Sequence, residues 1–375
     1  MSFFIIILLI GVFYWLQDFL YRSSWHKGFM ADIDFDSNCL YEGESMIINQ
    51  LFENNKWLPL PIMEVDYYVS RNARSYHEES KESDLISNEV LSIKSYSRLQ
   101  RKIKVPAVKR GFYRIPSLNI KIYNLFLTEN FQYVNNEEPF LYVYPTILEG
   151  EQLEVIFNKL LTEFITKRFT FEDPFLIKGV REYQIYDPQR AINWNASARV
   201  DKLMVNQYEN SSNQEVKLVL NLTGLREDSD ELLFEESIRL AASLALRSLD
   251  KGIPTGLITN GNSCLDYHSI RLPALSGKNQ KTAIMQSLSS LMVVRRLENI
   301  CTMLEEEVEN RQRDNSIYIV ISSDASEDLQ DFYGQLAQKF KGSLWIMPVS
   351  QGKKELLSAE LKQRVTLWEV CENEA

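Results

Sequence analysis

The sequence predicts an α+β multidomain chain: an N-terminal transmembrane helix, a β-sandwich domain and a C-terminal doubly wound α/β domain. Three observations predict it. A nearly unbroken apolar run occupies residues 3–21, short apolar runs alternate with polar turns over 31–145, and from 216 to 375 strand-like and helix-like segments alternate. Residues 149–215 lie between these blocks as a linker helix and a polar, aromatic segment.

The first run reads FFIIILLIGVFYWLQDFLY, with Gln17 and Asp18 as its strongly polar members. A bilayer takes about 20 apolar residues, so the run is long enough. Asp18 falls near its end, where the cost of a charge drops, and Phe13, Tyr14 and Trp15 suit an aromatic belt. No Lys or Arg precedes the run and no A-x-A-like site follows it, which favours an uncleaved anchor over a signal peptide. Arg22 and Lys27 follow it, so the positive-inside rule places the body of the chain in the cytoplasm.

Residues 31–145 carry SMIINQLF, LPLPIMEVDYYV, EVLSIKSYSRL, FYRIPSLNIKIYNLF and PFLYVYP. Short runs of this kind between turn residues read as strands, and several in succession suggest a sandwich. Between Leu91 and Lys121 nine Lys or Arg occur without one acid. A solvated strand face explains that asymmetry more simply than a patch turned toward lipid.

Leu153, Ile156, Phe157, Leu160, Leu161, Phe164 and Ile165 recur at helical spacing and predict a helix over 149–168. Beyond Val216, EVKLVLNL, GIPTGLITNG, SIYIVISS, SLWIMPV and VTLWEV read as strands. The segments between them read as helices, including one over 282–309 and one over 329–340. Strands alternating with helices imply parallel pairing. Ligands of such sheets sit at the carboxyl ends of strands, which directs attention to 221–225 and 322–324.

Composition narrows the function. With 375 residues, 45% hydrophobic and 25% charged, the chain has a full core. A net charge of −10 argues against nucleic acid as a partner. Cys39, Cys264, Cys301 and Cys371 form no CxxC pair, consistent with a reducing compartment. His26, His77 and His268 are the whole histidine complement, and each reads as a surface or packing residue. SGKNQKT at 276–282 lacks the first glycine of a phosphate loop and follows no strand, and no GxGxxG, GxSxG or HExxH occurs. At the strand ends Asn221 and Thr223 offer an amide and a hydroxyl and Asp324 one carboxylate, too thin a set for magnesium, the ion such a site would take. No cofactor is therefore expected.

One segment remains. Gly179, Arg181, Glu182 and Tyr183, then Asp187, Arg190, Ile192 and Trp194, then Ala198 and Arg199 form an ordered block. It resembles the signature of domain-of-unknown-function family 58. LVLNL, SIRLAASLA and GIPTGLITNG resemble that family's von Willebrand factor A-like half, and KRGFYRIPSL at 109–118 its upstream β-domain. The resemblance implies a bacterial membrane protein without general enzymatic activity. It implies a MoxR-type AAA+ ATPase as partner, with a transglutaminase-like membrane protein as a further one and membrane lipid around the anchor. Where von Willebrand A metal sites use Asp-x-Ser-x-Ser, this chain has Asn221, Thr223 and Leu225, so the site is degenerate. Relatives often show two N-terminal spans and this chain shows one.

Read from its residues, the block starts a helix at Asp187-Pro188, Asp as cap and Pro in the first turn, running to about Arg199. Arg190, Trp194 and Ala198 then share a face, Arg181 or Arg190 pairs with Glu182, and Trp194 anchors an interdomain clasp. A docking surface for a partner is the other reading. The expected function is a membrane-anchored scaffold or adaptor. The rivals are a metal-dependent hydrolase using Asp324 and Glu182, and an extracellular ligand-binding protein of opposite topology.

Overall fold

The structure, a computed structural model, describes residues 2–72, 85–106, 108–170, 172–210, 214–225, 230–292, 297–309, 316–340, 342–350, 357–358 and 361–370. The chain divides into two compact units: residues 1–146 with 263–267 and 285–292, and the remainder.

The first unit opens with helix α1 (Ser2–Ser24), long and apolar enough to cross a membrane. Strands β1 (Phe29–Phe35), β2 (Cys39–Tyr41), β3 (Met46–Asn54), β4 (Leu60–Arg71) and β5 (Leu85–Ile93) follow. Then come β6 (Ser97–Val105), β7 (Gly111–Arg114), β8 (Leu118–Tyr123), β9 (Asn130–Asn135) and β10 (Phe140–Tyr144). β1, β3 and β6 form one antiparallel sheet. The other runs β2-β10-β7-β4-β8-β9, with β5 added on β4. Period-two alternation aims Met46, Ile48 and Phe52 of β3 and Leu118, Ile120 and Ile122 of β8 into one shared apolar core.

The basic stretch spans strands of both sheets, and four of its nine cations, Arg98, Arg101, Lys102 and Lys121, meet acids. Arg98 meets Glu53, its register partner, at 3.0 Å, and Lys102 meets Asp36 at 3.0 Å. Arg101 pairs with Glu89, and Lys121 lies 3.8 Å from both Glu64 and Asp66. Arg110 departs from that pattern. It is fully buried, and its Nη1 donates to the carbonyls of Leu288, Ser289 and Leu291 at 3.0, 2.9 and 3.1 Å. The Leu288 and Ser289 carbonyls lie in the last turn of a helix, where a cation also complements the helix dipole.

The second unit begins with α2 (Glu151–Thr170), close to the expected linker helix, then β11 (Glu172–Glu182), α3 (Trp194–Val200) and β12 (Met204–Asn210). The α/β part contains β13 (Val216–Asn221), α4 (Glu231–Asp250), β14 (Thr255–Ser263), β15 (Ser269–Leu275) and α5 (Lys278–Ser289), of which residues 285–289, like β16 (Leu291–Met292), count with the first unit. It continues with α6 (Ile300–Glu309), β17 (Ile317–Ser322), α7 (Glu327–Lys339), β18 (Leu344–Ser350) and β19 (Val365–Val370). The sheet path is β15-β14-β13-β17-β18-β19, parallel except for β15 at the edge. The chain thus starts mid-sheet, steps to one side, then returns to the other, which creates a topological switch between β13 and β17.

Two sequence expectations fail here. The single helix over 282–309 is two helices, α5 and α6, with β16 between them. The edge strand β15 went unread because SIRLPAL contains a proline, which an edge tolerates, so SGKNQKT does follow a strand, although it still lacks the first glycine of a phosphate loop. Gly256 lets β15 approach: a Cβ there would lie 2.8 Å from the Leu272 carbonyl oxygen. Within β13, buried on every residue, Lys217 places its ammonium 2.9 Å from Glu307 and 3.6 Å from Glu215, over the Tyr318 ring. Paired acids and the ring face are what allow a cation in that position.

Candidate functional site

Two places merit construction from their residues: the switch point of the parallel sheet and the segment from Gly179 to Arg199.

At the switch point, β13 ends in Asn221, β17 in Ser322, and β14 passes Asn260 beside them, all three buried. Asn221 Nδ2 donates to Ser322 Oγ at 2.9 Å. Asn260 Nδ2 donates to Asn221 Oδ1 at 2.8 Å and to Thr223 Oγ1 at 2.9 Å. Backbone donors fix both amides, since Thr223 N–H points to Asn221 Oδ1 (3.1 Å) and Leu222 N–H to Asn260 Oδ1 (2.9 Å). The side-chain oxygens of Asn221, Thr223 and Asn260 thus each accept a hydrogen bond. The arrangement is a neutral brace tying three strand ends together, and Trp345 Nε1 extends it by donating to the Ser322 carbonyl at 3.2 Å.

Asp324 lies just beyond. Its carboxylate accepts from the backbone N–H and hydroxyl of Ser326, at 3.0 and 2.9 Å, at the start of α7. Burial first, then the charges of Glu305, Asp328 and Asp324, push the nearby Cys301 thiol up to about 11. Among the described residues no three His, Cys, Asp or Glu side chains are grouped to hold a metal ion.

The 179–199 segment is built on the β11–β12 hairpin. Gly179 sits beside a register irregularity in β11, and a Cβ there would make only an ordinary contact with Gln207. Tyr183 N–H donates to the Leu203 carbonyl at 2.8 Å, and Ile192 bridges Val205, so both ends of the intervening loop are pinned to the hairpin. Inside that loop Arg181 donates to both oxygens of Asp187 at 2.7 and 2.6 Å. The Gln184 N–H adds a 2.8 Å bond to the same carboxylate. Arg181, then the Gln184 amide, hold Asp187 below the usual carboxylate range against the opposing effect of burial.

The expected helix from Pro188 is corrected. Pro188 is extended, residues 189–191 form a single 3₁₀ turn, and the α-helix starts at Trp194 with Asn193 as its cap, accepting from Ala196 N–H at 2.9 Å. Asp187 cannot cap it because Arg181 and Gln184 already occupy its oxygens. Glu182 pairs with Lys202 at 2.7 Å, not with Arg181 or Arg190. Arg190 and Arg199 are exposed. Trp194 is 68% exposed, so the expected buried anchor is corrected too. Ile185 is 98% exposed and Tyr186 is exposed beside it.

Asn193, Ser197 and Asn260 organise these places and were missed from sequence. Ser197 Oγ donates to the Asn193 carbonyl and accepts from Met204 N–H, at 2.7 and 2.8 Å. Asn193 before an Ala-rich turn was a readable cap signal. Asn260, inside a strand, offered none.

Residues 179–343 match the family described as protein of unknown function DUF58. The match is to this stretch, less than half of the chain. It opens at Gly179 and includes the hairpin loop and the switch-point brace. No curated protein matches the chain. Among solved structures, one similar chain is the CARDB domain of the PF1109 protein from Pyrococcus furiosus, in complex with di-metal ions. It is 12% identical, with 31% of this chain and 93% of that one covered, at a TM-score of 0.21. A beta-glucosidase from Listeria innocua is 10% identical over 32% of this chain and 17% of its own, at 0.19. Spo0M, a sporulation control protein from Bacillus subtilis, is 8% identical over 42% and 58%, also at 0.19. At such scores the strand order, not these likenesses, describes the fold.

Proposed function

We propose that the chain is a membrane-anchored, non-enzymatic adaptor whose body lies in the cytoplasm. In this reading the first unit is a β-sandwich and the second a degenerate von Willebrand factor A-like domain. The DUF58 segment docks a protein partner, a MoxR-type AAA+ ATPase, with a transglutaminase-like membrane protein as a second member of the assembly.

One observation carries the docking reading. Ile185, Tyr186 and Trp194 are exposed on a segment whose polar residues, Arg181, Asp187 and Asn193, hold its backbone in place. Rigid, exposed aromatic and aliphatic side chains are what interfaces use as anchors. A non-catalytic role is supported by the neutral brace at the switch point, where Asn221, Asn260 and Thr223 satisfy one another. Glu182 and Asp324, the pair a hydrolase would need, are engaged separately by Lys202 and Ser326.

Anchoring is supported by the way α1 enters the domain: Tyr21 is buried and its hydroxyl donates to the Pro59 carbonyl at 2.9 Å. Orientation is supported by Lys27 and by the free thiols of Cys39, Cys264 and Cys301 among the described residues, because Arg22 is already paired with Asp18 and Glu129.

The test is recovery of the ATPase with the full chain from detergent-solubilised membranes. Wild type should retain it, and Ile185→Ala/Tyr186→Ala/Trp194→Ala should lose it while keeping its melting temperature. Undiminished recovery by that variant would remove the docking role.

A further inference from the structure

We propose that the β8–β9 turn, Leu125-Phe126-Leu127, is a second membrane contact that enters the lipid beside α1. The inference rests on reading α1 as a bilayer span.

Leu125, Phe126 and Leu127 are 49%, 47% and 55% exposed at the tip of a hairpin, where polar turn residues would be ordinary. The turn is constructed to show them. Asn124 Oδ1 accepts from Thr128 N–H at 2.9 Å, Asn124 Nδ2 donates to Thr128 Oγ1 at 2.8 Å, and Leu127 N–H donates to the Asn124 carbonyl at 3.1 Å. Leu127 takes φ +59, a left-handed conformation that favours glycine. A leucine held there against its preference keeps a large apolar side chain at the tip.

What covers this tip follows from its neighbour. The Phe126 ring centroid lies 6.1 Å from that of Phe13 and 5.9 Å from that of Tyr14. Phe13 is four residues inside Gln17 along α1, about 6 Å deeper at 1.5 Å per residue. The polar residues below match as well. Arg22 bonds Glu129 at the foot of the turn and Asp18 on its own helix, and Asn124 Nδ2 lies 3.4 Å from Asp18 Oδ1. Helix and turn therefore change from polar to apolar at the same level. A lipid surface imposes that coincidence on both elements at once, with charged groups at the interface and apolar groups beyond it. A protein groove would have no reason to follow the depth profile of the span.

The turn thereby gives the first unit a second point of attachment, which fixes its rotation about the helix axis as well as its distance from the membrane.

The experiment places the photocrosslinking residue p-benzoylphenylalanine at position 126 of the full chain, in vesicles of phosphatidylethanolamine and phosphatidylglycerol. Position 13 reports the span, and position 140, an exposed phenylalanine on β10, reports water. The expected result is a phospholipid adduct at 126 as at 13, and its loss at 140. A lipid adduct at 13 with none at 126 overturns the proposal and leaves the anchor standing. A protein adduct at 126, to a second copy or a partner, overturns it in favour of that occupant. No lipid adduct at either position overturns both the proposal and the anchor.

Discussion

Arg181 grips both carboxylate oxygens of Asp187, six residues on, and so closes the exposed loop of the DUF58 segment into a ring. The ion pair is local, and its consequences are read in the loop's backbone.

Asp187 is held below its ordinary pKa of 3.8, chiefly by the Arg181 hydrogen bonds. A carboxylate depressed in the folded state contributes stability that is present above its unfolded pKa and lost as pH falls through its folded value. Protection of the Gln184 amide, corrected for intrinsic exchange, should therefore hold from pH 7 to 5 and drop below about pH 4. Asp187→Asn should remove both the protection and its pH dependence. A flat profile in the wild type would mean that the loop is held by something else.

Trp194→Ala should leave folding stability within about 0.5 kcal/mol of wild type, the usual range for surface substitutions. A buried clasp would instead lose about 3–5 kcal/mol. Urea unfolding separates the two outcomes without reference to any partner.

At the switch point, Asn260→Ala leaves the buried Leu222 N–H without its partner and removes one of the two donors to Asn221 Oδ1. A buried orphan costs about 1–3 kcal/mol, so this variant should unfold at clearly lower denaturant concentration. Millimolar magnesium should leave the wild-type melting temperature unchanged, since a cation that bound the folded state would raise it. A saturable rise, abolished by Asp324→Ala, would show that the brace opens to admit a cation.

Membrane topology is testable at a cysteine. Burial pushes the thiols of both Cys264 and Cys301 up to about 11, so neither reports on topology, whichever side of the membrane it occupies. Cys39 is exposed. In intact cells it should resist an impermeant maleimide and become labelled after permeabilisation. Labelling in intact cells would place the body outside and favour the extracellular ligand-binding reading.

The sequence showed most clearly what repeats with a period. The alternation in β3, the apolar run of β13 and the helical spacing of α2 were each legible, because burial imposes them on consecutive residues. The DUF58 block was legible as a block, and its geometry was not. Asp187-Pro188 has the residues of a helix start, but a cap needs a free carboxylate and Arg181 competes for it from six residues upstream. Trp194 read as core because of its size, yet nothing in a single sequence says which way a tryptophan in the first turn of a seven-residue helix faces. Asn221 and Asn260 are 39 residues apart, and their hydrogen bond exists only once β13 and β14 have paired.

Arg110 sets an order of events in time. The carbonyls that receive it are synthesised some 178 to 181 residues later. At 5–20 residues per second a ribosome needs roughly 10–40 s to reach them. Throughout that interval the nascent β-unit lacks three of the acceptors of its Arg110 guanidinium, which do not yet exist. Its strands can pair and its apolar core can close, but the last interior charge stays wet. Completion of the first unit thus waits for translation of residues 288–291, and a chain that terminates before them leaves that unit unfinished.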